Sequence, residues 1–355
     1  MNTFITSAIA LTAVSASAFA TDNGWVSLDQ EINNLNASLS AQNATGPKVG
    51  GYVQARWENS SDIQVGDPVS ETNHDLSGFR LSNVRVEISG DAGSDYSYKV
   101  SFDLASGAAV LKDAYAKFKI GDQVTGKIGQ YKANFMRSST VGDNKLALLD
   151  RTIIGSGTEW NTRDVGLEFG FAYDTINATV GVQNGSDLEG KEMELCAKAT
   201  INLMGGGVGK VEGAYGAGDA MALTAGVSYL NDSNLDNGSC IGFEVELTSG
   251  PFSLAGEMVA LDKDNSIAFG PGGALATTDS SPWDVTGSYL FNDMWEGVVR
   301  YEDLDDADNS TQVTFGVNYF VSGHDIKWTA EYVDFATDNV VGDAKVIAVG
   351  ISISM

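Results

Sequence analysis

Charged side chains recur at every second position within the apolar stretches of this chain. Lys99 and Asp103 alternate with Tyr98, Val100, Phe102 and Leu104; Glu244 and Glu246 alternate with Phe243, Val245 and Leu247; Lys117 and Lys119 flank Phe118. Successive side chains of a strand point to opposite faces, so such spacing puts the charges on one face and the apolar groups on the other. The basic members of that face are Arg56, Arg85, Lys99, Lys117, Lys119, Lys127, Lys198, Arg300 and Lys327. Its acidic members include Glu58, Glu87, Asp103, Asp113, Glu168, Glu244, Glu246, Glu257, Asp284, Glu296, Glu302 and Glu331. So many charges of both signs cannot be dehydrated together, which implies a water-filled space for them to line.

Catalytic chemistry finds little support. The chain has 2 histidines, His74 and His324, both in or beside turns, so neither a histidine metal cluster nor a Ser-His-Asp triad is expected. Asp232, Asn234 and Asp236 begin like a calcium loop, but Gly238 and Glu244 each fall one place late. Glu244 and Glu246 share a strand face without an apolar pocket to tune one of them as a general acid. No dinucleotide or phosphate-loop motif is present. The expectation is a non-enzyme without cofactor or metal, and the net charge of −26 excludes bulk affinity for nucleic acid.

The elements that must carry these charges are strands. The pattern is clearest in Tyr96–Tyr131, where it repeats after Ser106-Gly107 and again after Gly121-Asp122 as a meander with one apolar and one ionic face. Period-two stretches are expected near 49–59, 79–90, 96–105, 110–120, 124–134, 163–172, 175–184, 191–203, 219–230, 239–249, 251–262, 281–291, 294–303, 310–320, 323–334 and 343–354. Most have the length a tilted strand needs to cross a bilayer, whereas no run of about 18 apolar residues could cross as a helix. With 41 glycines, 5 prolines and a mean hydropathy of −0.08, strands and turns dominate, and no helical domain is available to cover the apolar face. An all-β transmembrane antiparallel barrel, apolar towards lipid and polar towards a lumen, follows. Tight turns alternate with long connections at 60–78, 135–162 and 263–280. Both ends of the count must leave the long loops on one side, so the number of strands must be even. Val208–Tyr215 would make an odd one and is expected instead to extend a connection, leaving about 16 strands.

Residues 1–20 read as a secretory signal ending in Ala18-Phe19-Ala20, residues 21–47 as a periplasmic helical segment, and residues 48–355 as the barrel. In the second stretch Leu28, Ile32, Leu35 and Leu39 are spaced as a coiled-coil seam two heptads long, suited either to an oligomer axis or to an amphipathic helix lying on the barrel. Cys196 and Cys240 fall in different strands and are expected to be unpaired. The connection 135–162 contains Leu146, Leu148, Leu149, Ile153 and Ile154, which would not stay in water. It is expected to fold inward, placing Arg137, Lys145 and Arg151 at a constriction, or else to pack at a subunit interface. Residues 1–163 hold 14 Lys and Arg against 17 Asp and Glu, leaving 7 against 30 for the rest. The cations from Arg56 to Lys127 should therefore form one wall and the later acids, from Glu244 to Glu331, the opposite one, with a transverse field between them.

The stretches SNVRVEISGDAGSDYSYKVSFDL, LKDAYAKFKIGDQVTGKIGQYKANF, LLDRTIIGSG and RDVGLEFG resemble the phosphate-selective porin O/P family, most clearly over about 79–185. The resemblance implies a trimeric outer-membrane porin of sixteen strands with an inward third loop. That role would fall to 135–162, and trimerisation to the seam at 28–39. Family selectivity rests on dense lysines and arginines, for which the matching region offers Lys117, Lys119, Lys127, Lys132, Arg137 and Arg151. The expectation is an outer-membrane diffusion channel for small hydrophilic solutes and ions, its outer face in contact with lipid. An anion or phosphate channel and a closed structural or adhesive barrel are the alternatives.

Overall fold

The period-two stretches fold as strands because neither face of the alternation can be satisfied by a helix. In chain order they are β1 (Lys48–Ser61), β2 (Leu76–Ala92), β3 (Tyr96–Asp103), β4 (Val110–Lys119), β5 (Val124–Lys132), β6 (Arg163–Tyr173), β7 (Ile176–Gln183), β8 (Glu194–Met204) and β9 (Ala222–Asp232). There follow β10 (Ser239–Ser249), β11 (Phe252–Leu261), the short pair β12 (Ile267–Phe269) and β13 (Ala274–Ala276), then β14 (Trp283–Asn292), β15 (Trp295–Asp303), β16 (Thr311–Ser322), β17 (Ile326–Ala336) and β18 (Ala344–Ser354). The structure is a computed structural model that describes residues 46–61, 76–185, 192–233, 238–262, 267–269, 274–276, 279–338 and 343–355. The signal and the 28–39 seam, His74, and Asn234 and Asp236 of the calcium-like loop lie outside those residues. Val49–Met355 is a compact unit, and it is the barrel.

All strands except β12 and β13 close into one antiparallel barrel in sequence order, sealed where β1 meets β18 with Tyr52 opposite Ser354 and Ser61 opposite Lys345. Sixteen strands are thus present, and closure leaves no edge to expose unpaired backbone to lipid. Alternation is plain in β15: Trp295 and Val299 are exposed outside while Glu296, Val298, Arg300 and Glu302 are buried inside. Across the β10–β11 register Phe243 meets Met258 on the outside, and Glu244 meets Glu257 on the inside. Among the described residues no helix is long and apolar enough to cross a membrane. The exposed apolar side chains, such as Ile241, Phe243, Val245, Phe315, Val317, Ile347 and Val349, form the outer face instead. Tyr96, Tyr173, Trp283, Phe291 and Trp295 stand near strand ends, where a lipid interface favours amphipathic rings.

Cys196 and Cys240 both register on Leu230 of β9, from opposite sides, so a full strand separates them. Connections at one end are short, with Asp174 and Thr175 joining β6 to β7, Gly250 and Pro251 joining β10 to β11, and Asp293 and Met294 joining β14 to β15. Two connections depart from this simple picture by entering the barrel. One is 133–162 at the long-loop end; the other is 205–221 between β8 and β9 at the short-turn end.

Candidate functional site

The loop 133–162 is built from short helical turns at Arg137–Thr140, Asp143–Lys145, Ile154–Ser156 and Thr158–Asn161. Its apolar side chains leave water by packing against the inner wall: Phe135, Met136, Ile153, Ile154 and Trp160 cluster with Cys196, Leu230, Cys240, Val259, Leu261, Leu304 and Phe335. Phe135 and Trp160 lie with ring centroids 4.7 Å apart, and the indole N–H donates to the Ile154 carbonyl at 2.7 Å. A second contact joins Ala147 and Leu148 to Val298. Leu148 comes so close to Gly316 that any side chain there would collide with it.

Hydrophobic burial alone would leave the irregular backbone of this loop without partners, and orphaned buried donors are costly. The inward carboxylates supply them. Glu244 accepts from the Arg137 N–H at 2.8 Å, Glu257 from the Ser138 N–H at 2.9 Å, Glu331 from the Leu149 N–H at 2.9 Å and Glu302 from the Ile153 N–H at 2.7 Å. The Ser138 hydroxyl adds a second bond to Glu257. Wall donors take the loop's carbonyls in turn: Arg300 reaches the Asp150 oxygen at 3.0 Å, Asn318 the Ala147 oxygen at 2.8 Å, and Lys327 the Leu146 oxygen. Near β1 and β2, Asp143 accepts from the Tyr52 hydroxyl at 2.9 Å and pairs with Arg151 at 2.5 Å and Arg85 at 3.4 Å. Burial pushes the Asp143 carboxyl up, but Arg151, Lys132, Tyr52 and Arg85 outweigh it and hold the group down at about 2.

This arrangement changes what the later acids do. Glu296 and Glu331, expected on an acidic wall facing water, are 1% and 6% exposed and lie behind the two inserted connections. Glu331 accepts from the Leu149 N–H, Glu296 accepts from the Ala214 N–H, the Ser288 hydroxyl and the Asn318 amide, and neither borders the lumen cavity. Arg56 is likewise covered, held between Glu58 at 3.0 Å and Asp150 at 2.7 Å, and Glu58 also pairs with Arg80. Lys119 is exposed at the end of β4 and does not border the lumen cavity.

The water-accessible space is a cavity of about 1180 Å³ on the other side of the lumen. Of the residues expected at the pore, it is bordered by Arg85, Lys99, Lys117, Lys127, Arg137, Lys145, Arg151, Asp113, Glu168, Glu244 and Glu246. Asp122 and Gln123 of one short turn and Met355 also border it, so it reaches the short-turn end. Most of its cations are partnered: across neighbouring strands Lys99 with Glu87 at 2.8 Å and Lys127 with Glu168 at 2.8 Å, across one intervening strand Lys198 with Glu244 at 2.7 Å and Arg163 with Asp113 at 2.7 Å, and from the loop Arg137 with Glu246. The Lys127 ammonium also sits 3.8 Å from the centroid of the Tyr131 ring. Arg85, Lys99, Lys117, Lys127, Lys132, Arg137, Lys145, Arg151, Arg163, Lys198 and Lys210 face Glu87, Asp113, Asp122, Asp143, Glu168, Glu244, Glu246, Glu257 and Asp325: eleven cations against nine acids. The lining is slightly basic in a chain whose net charge is −26. Among the described residues no group of three or more His, Cys, Asp or Glu could hold a metal ion.

Arg163 and Lys210 border the cavity although the strand pattern did not mark them. Arg163 sits at the first position of β6, where the pattern is too short to fix a face. Lys210 lies on 205–221, which has no strand period. Only an unusual run of glycines at 205, 206, 207, 209, 213, 216 and 218 signalled that this connection could enter a crowded space.

A closed sixteen-stranded barrel with an apolar outside, a charged lumen and a loop folded into it defines a channel of the outer membrane, a porin. Residues 53–348 match the family described as phosphate-selective porin O and P, and the chain belongs to that family. It is an outer-membrane channel for passive passage of small hydrophilic solutes and ions. The fold is shared with the outer membrane channel DcaP of Acinetobacter baumannii, at 16% identity and a TM-score of 0.58 over 87% of this chain and 97% of that one. It is shared also with the loop L8 deletion mutant of OmpT from Vibrio cholerae, at 16% identity and a TM-score of 0.57 over 87% and 99%. An anion-selective porin from Comamonas acidovorans aligns at 11% identity with a TM-score of 0.59 over 87% and 99%. No curated protein sequence matches the chain significantly.

Proposed function

We propose that this porin is a general diffusion channel with a weak preference for anions, and not a channel built around phosphate. The observation that carries this reading is the pairing of the lumen cations. Lys99, Lys127, Arg137, Arg163 and Lys198 each have a carboxylate partner within the wall or the loop, so their fields on a passing solute are largely cancelled. A modest basic excess remains at Lys117, Lys132, Lys145 and Lys210, for which no ion pair is found among the described residues. The loop 133–162 acts as the constriction, with Arg137, Lys145 and Arg151 at its open face. The apolar outer belt contacts outer-membrane lipid. Export by the residues 1–20 signal and trimerisation through Leu28, Ile32, Leu35 and Leu39 complete the reading; both segments lie outside the described residues. No catalytic role is assigned to any residue.

Planar-bilayer recording with a potassium chloride gradient tests it. The expected reversal potential is small and on the anion side, with currents only weakly reduced by millimolar phosphate. A cation-side potential, or strong phosphate block, refutes the reading. Liposome swelling with small sugars separates it from a closed structural barrel, which would give no swelling.

A further inference from the structure

Joining two neighbouring antiparallel strands takes as few as two residues, yet β8 and β9 are linked by seventeen, 205–221, folded back into the lumen. The segment is hydrogen-bonded and packed there against the inner wall. The Ala214 N–H donates to Glu296 at 2.6 Å and to the Ser288 hydroxyl at 2.9 Å. The Tyr215 ring stacks on Phe320 with centroids 3.9 Å apart, and the edge of His324 meets both rings. Gly213 has φ +88°, and a Cβ built there would lie 2.6 Å from a Glu296 oxygen, so close approach to the wall requires glycine.

Its other contacts lock it to the loop 133–162. Arg137 donates to the Gly209 carbonyl at 2.6 Å and the Val211 carbonyl at 2.8 Å. The Glu212 N–H reaches the Lys145 carbonyl at 3.0 Å, while the Glu212 carboxylate accepts from the Ala147 N–H at 3.0 Å and lies 3.5 Å from Arg300. One edge of the segment thus covers the β14–β16 wall. The opposite edge, with Val208 and Lys210, borders the cavity. Lys210 there shares the electrostatic environment of Lys117, Lys127, Lys198 and Glu168.

We propose that residues 205–221 form a second constriction, inserted from the short-turn end, which confines solutes to the Lys117–Lys127 side and presents Lys210 to them. The strap occupies lumen cross-section that the strand pattern assigns to water, and it lets the charges of β14–β16 be spent on holding backbone. This rests on the channel reading.

The test is single-channel conductance. Replacing 206–220 by an Asn-Gly turn is expected to raise it at least about twofold, because conductance follows the narrowest cross-section. A folded deletion variant, with barrel-like circular dichroism and heat-modifiable mobility, that conducts like the parent overturns the proposal. Should the deletion not fold, Lys210→Cys in the full chain carries the test. Reaction with an anionic methanethiosulfonate is expected to lower the current and shift the reversal potential towards cations, and an unchanged current overturns the proposal. The parent protein treated alike is the baseline, since Cys196 and Cys240 are 6% and 2% exposed. A parent that does not conduct overturns the channel reading and the strap proposal with it; a conducting parent with unaltered variants overturns the strap alone.

Discussion

Glu302→Ala isolates one of the carboxylates that hold the constriction loop. Glu302 is fully buried on β15, accepts from the Ile153 N–H at 2.7 Å and from the Gln312 amide at 2.8 Å, and touches no part of the cavity. Truncation leaves the Ile153 N–H buried without a partner, takes the acceptor from the half-buried Gln312 amide, and leaves Arg300 with Glu212 at 3.5 Å as its remaining ion-pair partner. Leaving one such donor unsatisfied costs about 1–3 kcal/mol. The loop retains its other anchors at Glu244, Glu257 and Glu331, so local opening around Ile153, not barrel unfolding, should absorb the loss. At about 2 kcal/mol the open population rises roughly 30-fold. Amide exchange in detergent micelles reads this directly: the Ile153 and Ile154 amides are expected to exchange about 30-fold faster, with amides of β2–β5 unchanged, and single-channel records should gain noise. Glu302→Gln keeps an acceptor for one donor and should fall between. Unaltered exchange at Ile153 with quiet channels would refute the idea that wall carboxylates hold the loop, leaving apolar packing to do so.

Neutralising Lys117, Lys127 and Arg151 together, each to Gln, is expected to move the reversal potential towards cations; no movement would place the solute path elsewhere. Arg151 also pairs with Asp143, so the single variant Arg151→Gln should add noise that Lys117→Gln lacks. Asp143 carries a pH prediction. Its carboxyl is held below its unfolded value, so its stabilisation of the loop is fully present above about pH 4 and is lost as pH falls towards about 2. Channel noise should therefore stay flat from neutral pH to about 4 and rise below it, and Asp143→Asn should be noisy throughout without that step. Deleting 28–39 is expected to give monomers in mild detergent, checked by light scattering; intact trimers would remove the seam from assembly.

The barrel was legible because its alternation is a property of each strand by itself. Trp295 to Asp303 shows inside and outside without reference to any neighbour, and an even strand count follows from where the long loops fall. The inward fold of 133–162 was foreshadowed by Leu146, Leu148, Leu149, Ile153 and Ile154, apolar residues with no strand to belong to. What the sequence could not show is which inward charges meet water. Glu244 and Glu331 occupy equivalent positions in the pattern, yet Glu244 borders the cavity and Glu331 is sealed behind Leu149. That difference depends on two connections whose paths have no periodicity. The Gly316 socket for Leu148 and the Gly213 approach to Glu296 are three-dimensional fits that alternation does not encode.

A lumen charge count is therefore a poor guide to selectivity in this barrel. An irregular loop inside a lumen has many backbone N–H groups and few wall carbonyls free to accept them, because the strands use theirs in the ladder. Acidic side chains are the efficient remedy: one carboxylate accepts several donors and takes charge-assisted bonds from backbone N–H groups. Glu212, Glu257, Glu296, Glu302 and Glu331 all serve in this way. The surplus of acids in β10–β17 then reflects how much loop has to be held, and Arg300 and Lys327 beside them serve its carbonyls. Solutes meet instead the charges that border the cavity, chiefly those of β2–β8 with Glu244, Glu246 and Glu257 beside them, so exchanging a sealed acid such as Glu302 or Glu331 should alter gating noise while exchanging Lys117 should alter ion preference. If Glu331→Gln shifted the reversal potential as far as Lys117→Gln with no added noise, this separation of roles would be wrong.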